Sequence, residues 1–343
     1  MIDNVKTDLH PAVLAHPLSD GWVRCDLCAH RCRIPPGRTG ICAVRVNEDG
    51  VLYTLVYGKA IAAHVDPIEK KPLFHFLPGS LSFSIATAGC NFHCAFCQNW
   101  DISQISKGPH GQIVGETFLP EQVVASARRT GCRSIAYTYS EPTIFFEYAY
   151  DVALLAHKAD LKNVFVTNGY QTPETIRLMT GIIDAANVDL KAFRDATYRK
   201  VCGARLEPVL DSIRLMHDAG IWVEVTTLVV PGENDSADEL RDIARFLVTI
   251  SPDMPWHISR FHPDYKMLNV EATPRQTLLR AAEIGKEEGL RYVYIGNLPG
   301  TGYEDTCCPS CGRVVIHRIG YSVRSELHGD RCPHCGTRLP MVV

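Results

Sequence analysis

From residue 81 onward, short apolar strands alternate with amphipathic helical segments, and this alternation restricts the fold more than any other feature of the sequence. Because a helical segment separates each pair of strands, the strands are expected to run parallel. Pro173 and the capping residue Ser236 mark two of the helix starts. The predicted strands cover residues 81–88, 133–139, 163–167, 185–190, 222–230, 256–261 and 291–296. About six βα units predict an α/β fold with a partial TIM-like barrel, (βα)6, rather than the eight units of a complete barrel.

A cysteine triad follows the first of these strands, in the segment GCNFHCAFCQNW at residues 89–100. Cys90, Cys94 and Cys97 have CxxxCxxC spacing. Three thiolates so close together can bind three irons of a [4Fe-4S] cluster and leave the fourth iron open for chemistry. A structural zinc site is the alternative, but such sites usually combine two CxxC knuckles, and this segment has no fourth local ligand.

Two further cysteine clusters flank the predicted barrel. Near the C-terminus, two CPxCG knuckles predict a four-sulfur site for zinc or rubredoxin-like iron, as in a zinc ribbon. Near the N-terminus, turn-forming Pro-Pro-Gly and Thr-Gly pairs place four cysteines on loops that can surround one zinc ion or a second iron–sulfur cluster. The predicted ligands are Cys308, Cys311, Cys332 and Cys335 at the C-terminal site, and Cys25, Cys28, Cys32 and Cys42 at the N-terminal site. Cys132 and Cys202 are expected to be ordinary buried thiols.

These clusters predict three segments: an N-terminal Cys-rich module with its lead-in loop (1–80), the barrel (81–303) and a C-terminal module (304–343). The net charge of -3 gives no reason to expect a nucleic acid or an anionic membrane as partner. No run of about 18 apolar residues predicts a transmembrane helix, and residues 1–10 lack the apolar region of a signal peptide. We therefore expect a cytoplasmic protein whose cysteines bind metals rather than form disulfides.

Polar residues follow the ends of the other predicted strands, where the chemistry of barrels of this type takes place. The C-terminal ends of parallel strands meet at one edge, so we expect these residues to lie near the cysteine triad. They are Ser140 and Glu141 after the second strand, Asn168 after the third, Asp189 and Lys191 at the fourth, and His262 at the sixth.

The triad, the run DPIEKKPLFHFLPGS (66–80), the YIGN sequence (294–297) and the CPxCG pair resemble the radical SAM enzyme of the AmmeMemoRadiSam system. More broadly, they resemble pyruvate formate-lyase activating enzymes. The resemblance implies that S-adenosylmethionine (SAM) chelates the fourth iron. Its reductive cleavage would give a 5′-deoxyadenosyl radical that removes hydrogen from a protein, peptide or small-molecule substrate.

The same resemblance implies Memo-type and AMMECR-type partner proteins and an electron donor such as a flavodoxin or a ferredoxin. It also implies which residues bind SAM. These are Phe96, Gln98, Ser140, Glu141, Asn168, Asp189, Lys191 and His262.

The sequence departs from the activating enzymes at three places. Val166 stands where they carry an acidic residue, which argues against a monovalent-cation site. Tyr139 and Ser140 stand at the position of the Gly-Gly-Glu motif of the activating enzymes, and a glycine of that motif is lost here. Thr226 stands where they carry an arginine that handles the protein substrate. Glycyl-radical activation is therefore an alternative function, and a non-catalytic metal-binding adaptor of a Memo/AMMECR-type complex is another.

Overall fold

A computed structural model describes residues 9–108 and 110–343, so most of the segment used to argue against a signal peptide lies outside the described residues. The first strands are β1 (His10–Pro11), β2 (Ala15–Pro17), β3 (Val23–Cys25), β4 (Arg33–Ile34), β5 (Arg45–Glu48), β6 (Val51–Thr54) and β7 (Lys59–Ala60). Strands β1 to β6 form two small antiparallel sheets, β1–β6–β5 and β2–β3–β4, around the first cysteine cluster. A turn at Gly58 (φ +65°) separates β6 from β7.

The main sheet and its helices follow. The strands are β8 (Ala62–Pro67), β9 (Leu81–Ala86), β10 (Glu116–Thr117), β11 (Ser134–Tyr137), β12 (Lys162–Thr167), β13 (Ala185–Asp189), β14 (Trp222–Val229), β15 (Trp256–Arg260) and β16 (Val293–Gly296). Of these, β10 pairs antiparallel with β7 and lies outside the main sheet. The helices are α1 (Trp100–Ser103), α2 (Pro120–Arg129), α3 (Phe146–Lys158), α4 (Pro173–Met179), α5 (Asp195–Thr197), α6 (Glu207–Asp218), α7 (Ala237–Ile250) and α8 (Arg275–Glu287). A π-helical turn, Tyr198–Cys202, continues α5. Throughout the described ranges, no helix combines the length and apolarity needed to cross a membrane.

The main sheet has eight strands in the order β8–β9–β11–β12–β13–β14–β15–β16. All pairs from β9 to β16 are parallel, which confirms the predicted βα alternation. Strand β8 was not predicted; it pairs antiparallel with β9 at the edge of the sheet. The sequence did not reveal β8 as a strand. Residues 63–65 are exposed, and an edge strand of this kind lacks a regular apolar face. Over residues 9–108 and 110–343 no pairing joins β8 to β16, so closure into a barrel is not observed.

Residues 68–77, here called the plug segment, close the N-terminal end of the main sheet. Glu224, near the start of β14, accepts the backbone N–H groups of Phe74 and His75 at 2.9 and 2.8 Å. Asn187 on β13 donates to the carbonyl of Pro72 at 2.8 Å. The sequence predicted an ordered loop here, and these bonds anchor it to strand starts. Ligands must therefore enter from the opposite edge, where the strands end.

The C-terminal module packs on the outer side of the plug segment. Its sheet contains β17 (Thr306–Cys307), β18 (Val314–Ile319) and β19 (Ser322–Ser325). The guanidinium of Arg318 lies 4.2 Å from the centre of the Phe74 ring and donates to the Phe74 carbonyl at 2.8 Å. Val342 exchanges backbone hydrogen bonds with His75 and Leu77, at 2.8 and 2.7 Å. The module is therefore tied to the closed end of the sheet by main-chain bonds.

Candidate active site

The cysteine triad lies on the loop between β9 and α1, at the C-terminal edge of the sheet. The π-helical turn fixes this loop, since the carbonyls of Val201 and Cys202 accept the N–H groups of Ala95 and His93 at 3.0 and 2.9 Å. The Phe92 N–H lies 3.4 Å from the Cys90 sulfur, and the Ser103 hydroxyl lies 3.2 Å from the Cys97 sulfur. The loop therefore presents its thiols in fixed positions with polar hydrogens beside two of them.

All three thiols line one cavity of about 790 Å³. The other lining residues include seven of the eight residues predicted to contact SAM: Phe96, Gln98, Ser140, Glu141, Asn168, Asp189 and Lys191. The eighth, His262, does not line the cavity, but its Nδ1 lies 3.0 Å from the Gln98 Nε2. The structure therefore gathers the ends of the strands around the triad, as the parallel arrangement predicted.

The chemistry of the triad fits a cluster better than a single ion. In the described part of the chain, the C-terminal four cysteines are the one group of three or more metal-ligating side chains whose ligand atoms all lie within 4.8 Å of one another. The triad offers three thiolates, one fewer than the four protein ligands of a closed structural zinc site. Three soft sulfur donors facing a cavity match a [4Fe-4S] cluster with one open iron.

The side chains after β11 hold the cavity wall together. One carboxylate oxygen of Glu141 accepts the Thr167 hydroxyl at 2.7 Å, and the other accepts the Asn168 N–H at 2.8 Å. The Ser140 hydroxyl donates to the Thr87 carbonyl at 2.8 Å. These groups are already hydrogen bonded within the protein, so they join the ends of β9, β11 and β12. Their direct contact with SAM stays a prediction.

An ion pair faces the cavity at the end of β13. The Lys191 ammonium lies 2.8 Å from the Asp189 carboxylate and 5.8 Å from the centre of the Phe96 ring. Burial alone would lower the pKa of Lys191, but the neighbouring Asp189 carboxylate outweighs it and the pKa is raised well above its usual range. Lys191 therefore stays cationic beside the triad.

A second charged group lies on the cavity wall. The buried ammonium of Lys71 lies 2.7 Å from Asp66 and 4.5 Å from the centre of the Tyr139 ring, and the Tyr139 hydroxyl donates to the same carboxylate. Burial lowers the pKa of Lys71 to about 8. Burial alone would raise the pKa of Asp66, but hydrogen bonds from Lys70, Lys71 and Tyr139 outweigh it, and the pKa is lowered.

This group explains the backbone of Tyr139, which has φ +62° where the activating enzymes carry glycine. A non-glycine residue in that conformation costs on the order of 1–3 kcal/mol. The contacts of its ring and hydroxyl with Lys71 and Asp66 offset that cost. Because Asp66 and Tyr139 are 73 residues apart, no local pattern could reveal the contact.

Cys202 was predicted to be an ordinary buried thiol, and it is buried, but it lies close enough to Cys94 to raise the pKa of the Cys94 thiol. The π-helical turn brings the two together. No sequence signal marked this contact, since Cys202 lies more than a hundred residues from the triad.

Replacing Gly203 with alanine is expected to reduce the amount of cluster bound. Gly203 has φ +70°, and an added Cβ would lie 2.4 Å from the His93 ring in the triad loop. We expect a several-fold loss of iron and sulfide after anaerobic reconstitution, measured chemically. Gly220→Ala is the matched control, because Gly220 has φ +77° with nothing within 4 Å of the new Cβ. Equal cluster content in both variants would show that the contact with His93 is unimportant.

Comparison with known proteins agrees with this geometry. The sequence profile of the Radical SAM superfamily matches residues 84–247, which contain the triad and the strand ends from β9 to β14. An uncharacterised protein of Methanocaldococcus jannaschii is 43% identical over 339 residues, which cover 98% of this chain and 100% of that protein. The chain belongs to the radical SAM superfamily. It is a radical SAM enzyme, and its cofactors are a [4Fe-4S] cluster and SAM.

Other radical SAM relatives support the resemblance to activating enzymes. A putative glycyl-radical enzyme activating enzyme of M. jannaschii is 24% identical, over 59% of this chain and 75% of that protein. The pyruvate formate-lyase-activating enzyme of Clostridium pasteurianum is 20% identical, over 58% of this chain and 87% of that protein. The crystal structure of a radical SAM methyltransferase from Sphaerobacter thermophilus has the same fold, with a TM-score of 0.52 and 18% identity over 70% of this chain and 71% of that one.

The C-terminal four cysteines form a separate metal-binding site outside the radical SAM cavity. The sulfurs of Cys308 and Cys335 are 3.5 Å apart, and those of Cys311 and Cys332 are 3.8 Å apart. A tetrahedral ion with metal–sulfur bonds of about 2.3 Å requires sulfur–sulfur distances close to these. Cys307 lies outside the group.

Proposed function

We propose that this radical SAM enzyme removes a hydrogen atom from a protein or peptide substrate that reaches the cavity beside the triad. The observation that carries the proposal is the size of this cavity, about 790 Å³, which extends from the triad to the plug segment and to Tyr321 of the C-terminal module. Ligand pockets commonly measure about 300–1,000 Å³. A cavity in the upper part of this range can hold a substrate group as well as SAM.

Residues of the chain would position the reactants and exclude water. The cluster and SAM, when bound, supply the 5′-deoxyadenosyl radical. Phe96, which is 5% exposed, and Lys191 line the cavity with the triad and give it an apolar and a cationic surface. The buried Thr226 and the partly buried Ser259 also line the cavity, where a substrate group would meet short, uncharged side chains.

The surface around the cavity supports a macromolecular substrate. Trp100, which is 45% exposed, stacks on Tyr265 with ring centres 5.3 Å apart, just beyond the cavity residues Gln98 and Asn99. Tyr321 is 56% exposed and lines the cavity itself. Exposed aromatic side chains beside a deep cavity are typical of a site where another protein docks.

We further propose that the enzyme belongs to the AmmeMemoRadiSam system, with Memo-type and AMMECR-type proteins as partners and a flavodoxin or ferredoxin as electron donor. The support for this is the combination of three cysteine sites with the DPIEKKPLFHFLPGS and YIGN segments in one chain.

Deuterium transfer tests the substrate class. The reduced enzyme and SAM are incubated anaerobically with an extract of perdeuterated host cells, separated into macromolecules and small molecules. A radical that abstracts deuterium carries it into 5′-deoxyadenosine, which mass spectrometry detects. We expect deuterium only with the macromolecular fraction, and more of it when the Memo-type protein is present. Deuterium transfer from the small-molecule fraction alone would contradict a protein or peptide substrate.

Activation of a glycyl-radical enzyme is the second candidate, favoured by the M. jannaschii relative that carries this name. Against it, Thr226 carries no charge and donates to Asn187 at 2.9 Å, which leaves the place of the activating enzymes' arginine without a cation. Electron paramagnetic resonance distinguishes the candidates, because activation leaves a stable glycyl radical on the partner protein.

At the C-terminal site we propose a single zinc ion in a zinc-ribbon-like module. Cys311→Ser is expected to release this metal and unfold the module, because the buried cluster there is small (Cys308, Val315, Ile316, Cys332, Leu339 and Met341). Limited proteolysis should then cut within residues 304–343 while the main sheet stays intact. Cys307→Ser is the matched control and should keep the metal, measured by mass spectrometry of the native protein. Equal metal content in both variants would place the ligand set elsewhere.

A further inference from the structure

We propose that Cys25, Cys28, Cys32 and Cys42 hold an iron–sulfur cluster rather than zinc, and that this cluster passes electrons to the cluster on the triad. The sequence left the choice between zinc and a cluster open. The proposal depends on the radical SAM chemistry of the family, and it is independent of the substrate class proposed above.

The first argument is the cavity that the four thiols surround. All four N-terminal cysteines line one cavity of about 20 Å³, which exceeds the roughly 10–15 Å³ that one buried water requires. Four thiols around one enclosed space can each bind one iron of a cluster placed there.

The second argument is a pair of N–H donors without partners. Arg45 Nε and Asn91 Nδ2 are buried and make no hydrogen bond, and both residues line the same cavity. The two terminal nitrogens of Arg45 donate to the carboxylate oxygens of Glu147 at 2.9 and 2.8 Å. These bonds fix the orientation of the guanidinium, including its Nε–H. Buried donors without partners are rare. A cluster offers them sulfide and thiolate acceptors, and such bonds also set cluster potentials.

The third argument is the distance to the triad. Asn91 lines the N-terminal cavity and directly follows Cys90 in the chain. The Cys42 carbonyl accepts the Ser106 hydroxyl at 3.2 Å and lies 3.2 Å from the position of a Cβ on Gly89, the residue before Cys90. His30, between Cys28 and Cys32, lies 2.9 Å from the Asn91 carbonyl. The two sites are therefore separated by about one layer of residues.

The electron count requires one external reductant. A flavodoxin or a ferredoxin loses one electron to the N-terminal cluster, which passes it to the triad cluster, and one electron is consumed for each SAM cleaved. No bond forms or breaks at the N-terminal site, which returns to its oxidised state after each transfer.

Metal analysis of a chain without the triad tests the identity of the site. The full chain with Cys90→Ala, Cys94→Ala and Cys97→Ala is reconstituted anaerobically with iron and sulfide, and iron, acid-labile sulfide and zinc are measured. We expect iron and sulfide at about half the wild-type content, with the resonance signal of a reduced cluster after dithionite. Adding Cys28→Ala and Cys32→Ala should remove the sulfide. Zinc at this site with no sulfide in the triad-free chain would overturn the proposal.

The choice of reductant tests electron transfer. A chain with an intact triad and Cys28→Ala is assayed for 5′-deoxyadenosine with dithionite and, separately, with reduced flavodoxin. Dithionite is small enough to reach the triad directly, so cleavage with it should persist, which also shows that the variant is folded. With flavodoxin we expect at least a tenfold loss. If the variant keeps the same fraction of the wild-type rate with flavodoxin as with dithionite, the N-terminal site is not on the electron path.

Discussion

Replacing Cys94 with alanine is expected to reduce formation of 5′-deoxyadenosine from SAM to the level of a mixture without enzyme. Cys94 is the most buried of the triad, and its loop is fixed by backbone bonds to the π-helical turn, so no other loop residue can move into its place. With only Cys90 and Cys97 left on the loop, a cluster with three protein ligands cannot form there. The measurement is anaerobic chromatography of the SAM products after reduction with dithionite.

The neighbouring Cys202 makes a second variant necessary. Its thiol lies close to Cys94, so it is a candidate to replace the missing ligand. The double variant, Cys94→Ala with Cys202→Ala, removes this route and should be equally inactive. Cys132→Ala is the control, because Cys132 is buried away from the triad, next to Thr130. Full cleavage by the double variant would refute the assignment of the triad.

Local sequence patterns predicted most of the fold because the main sheet is built from neighbours in sequence. Each strand from β9 to β16 pairs with the strand of the main sheet that precedes it in the chain, so the βα alternation was enough to give the order. The cysteine spacings likewise located the triad and the C-terminal metal-binding site, since each set of ligands lies on one or two short loops.

Contacts between distant segments escaped this reasoning. Strand β8 was missed because its pairing, not its composition, makes it a strand. The contact of Asp66 with Tyr139 is invisible in any local pattern, and so is that of Cys94 with Cys202. The sequence could place Glu141 at a strand end. It could not show that its carboxylate accepts hydrogen bonds from Thr167 and Asn168. In each case a side chain acquires its role from a partner that only the fold brings near.

Replacing Glu147 with glutamine is expected to destabilise the protein by about 3–5 kcal/mol, because it leaves the charge of Arg45 buried without a counter-ion. The two side chains are 2% and 3% exposed and form two short hydrogen bonds, at 2.8 and 2.9 Å. They also join the N-terminal module to α3 of the main sheet. The measurement is the urea concentration at half-unfolding, followed by tryptophan fluorescence under anaerobic conditions.

Two comparisons separate burial from charge. Glu287 pairs with Arg280 at 2.8 Å on the surface, where solvent screens the interaction, so Glu287→Gln should leave the unfolding midpoint nearly unchanged. Replacing both members of the buried pair, Arg45→Leu with Glu147→Leu, removes both charges and should recover much of the stability lost in Glu147→Gln. If Glu147→Gln unfolds at the wild-type urea concentration, the pair does not connect the N-terminal module to α3 as the structure describes.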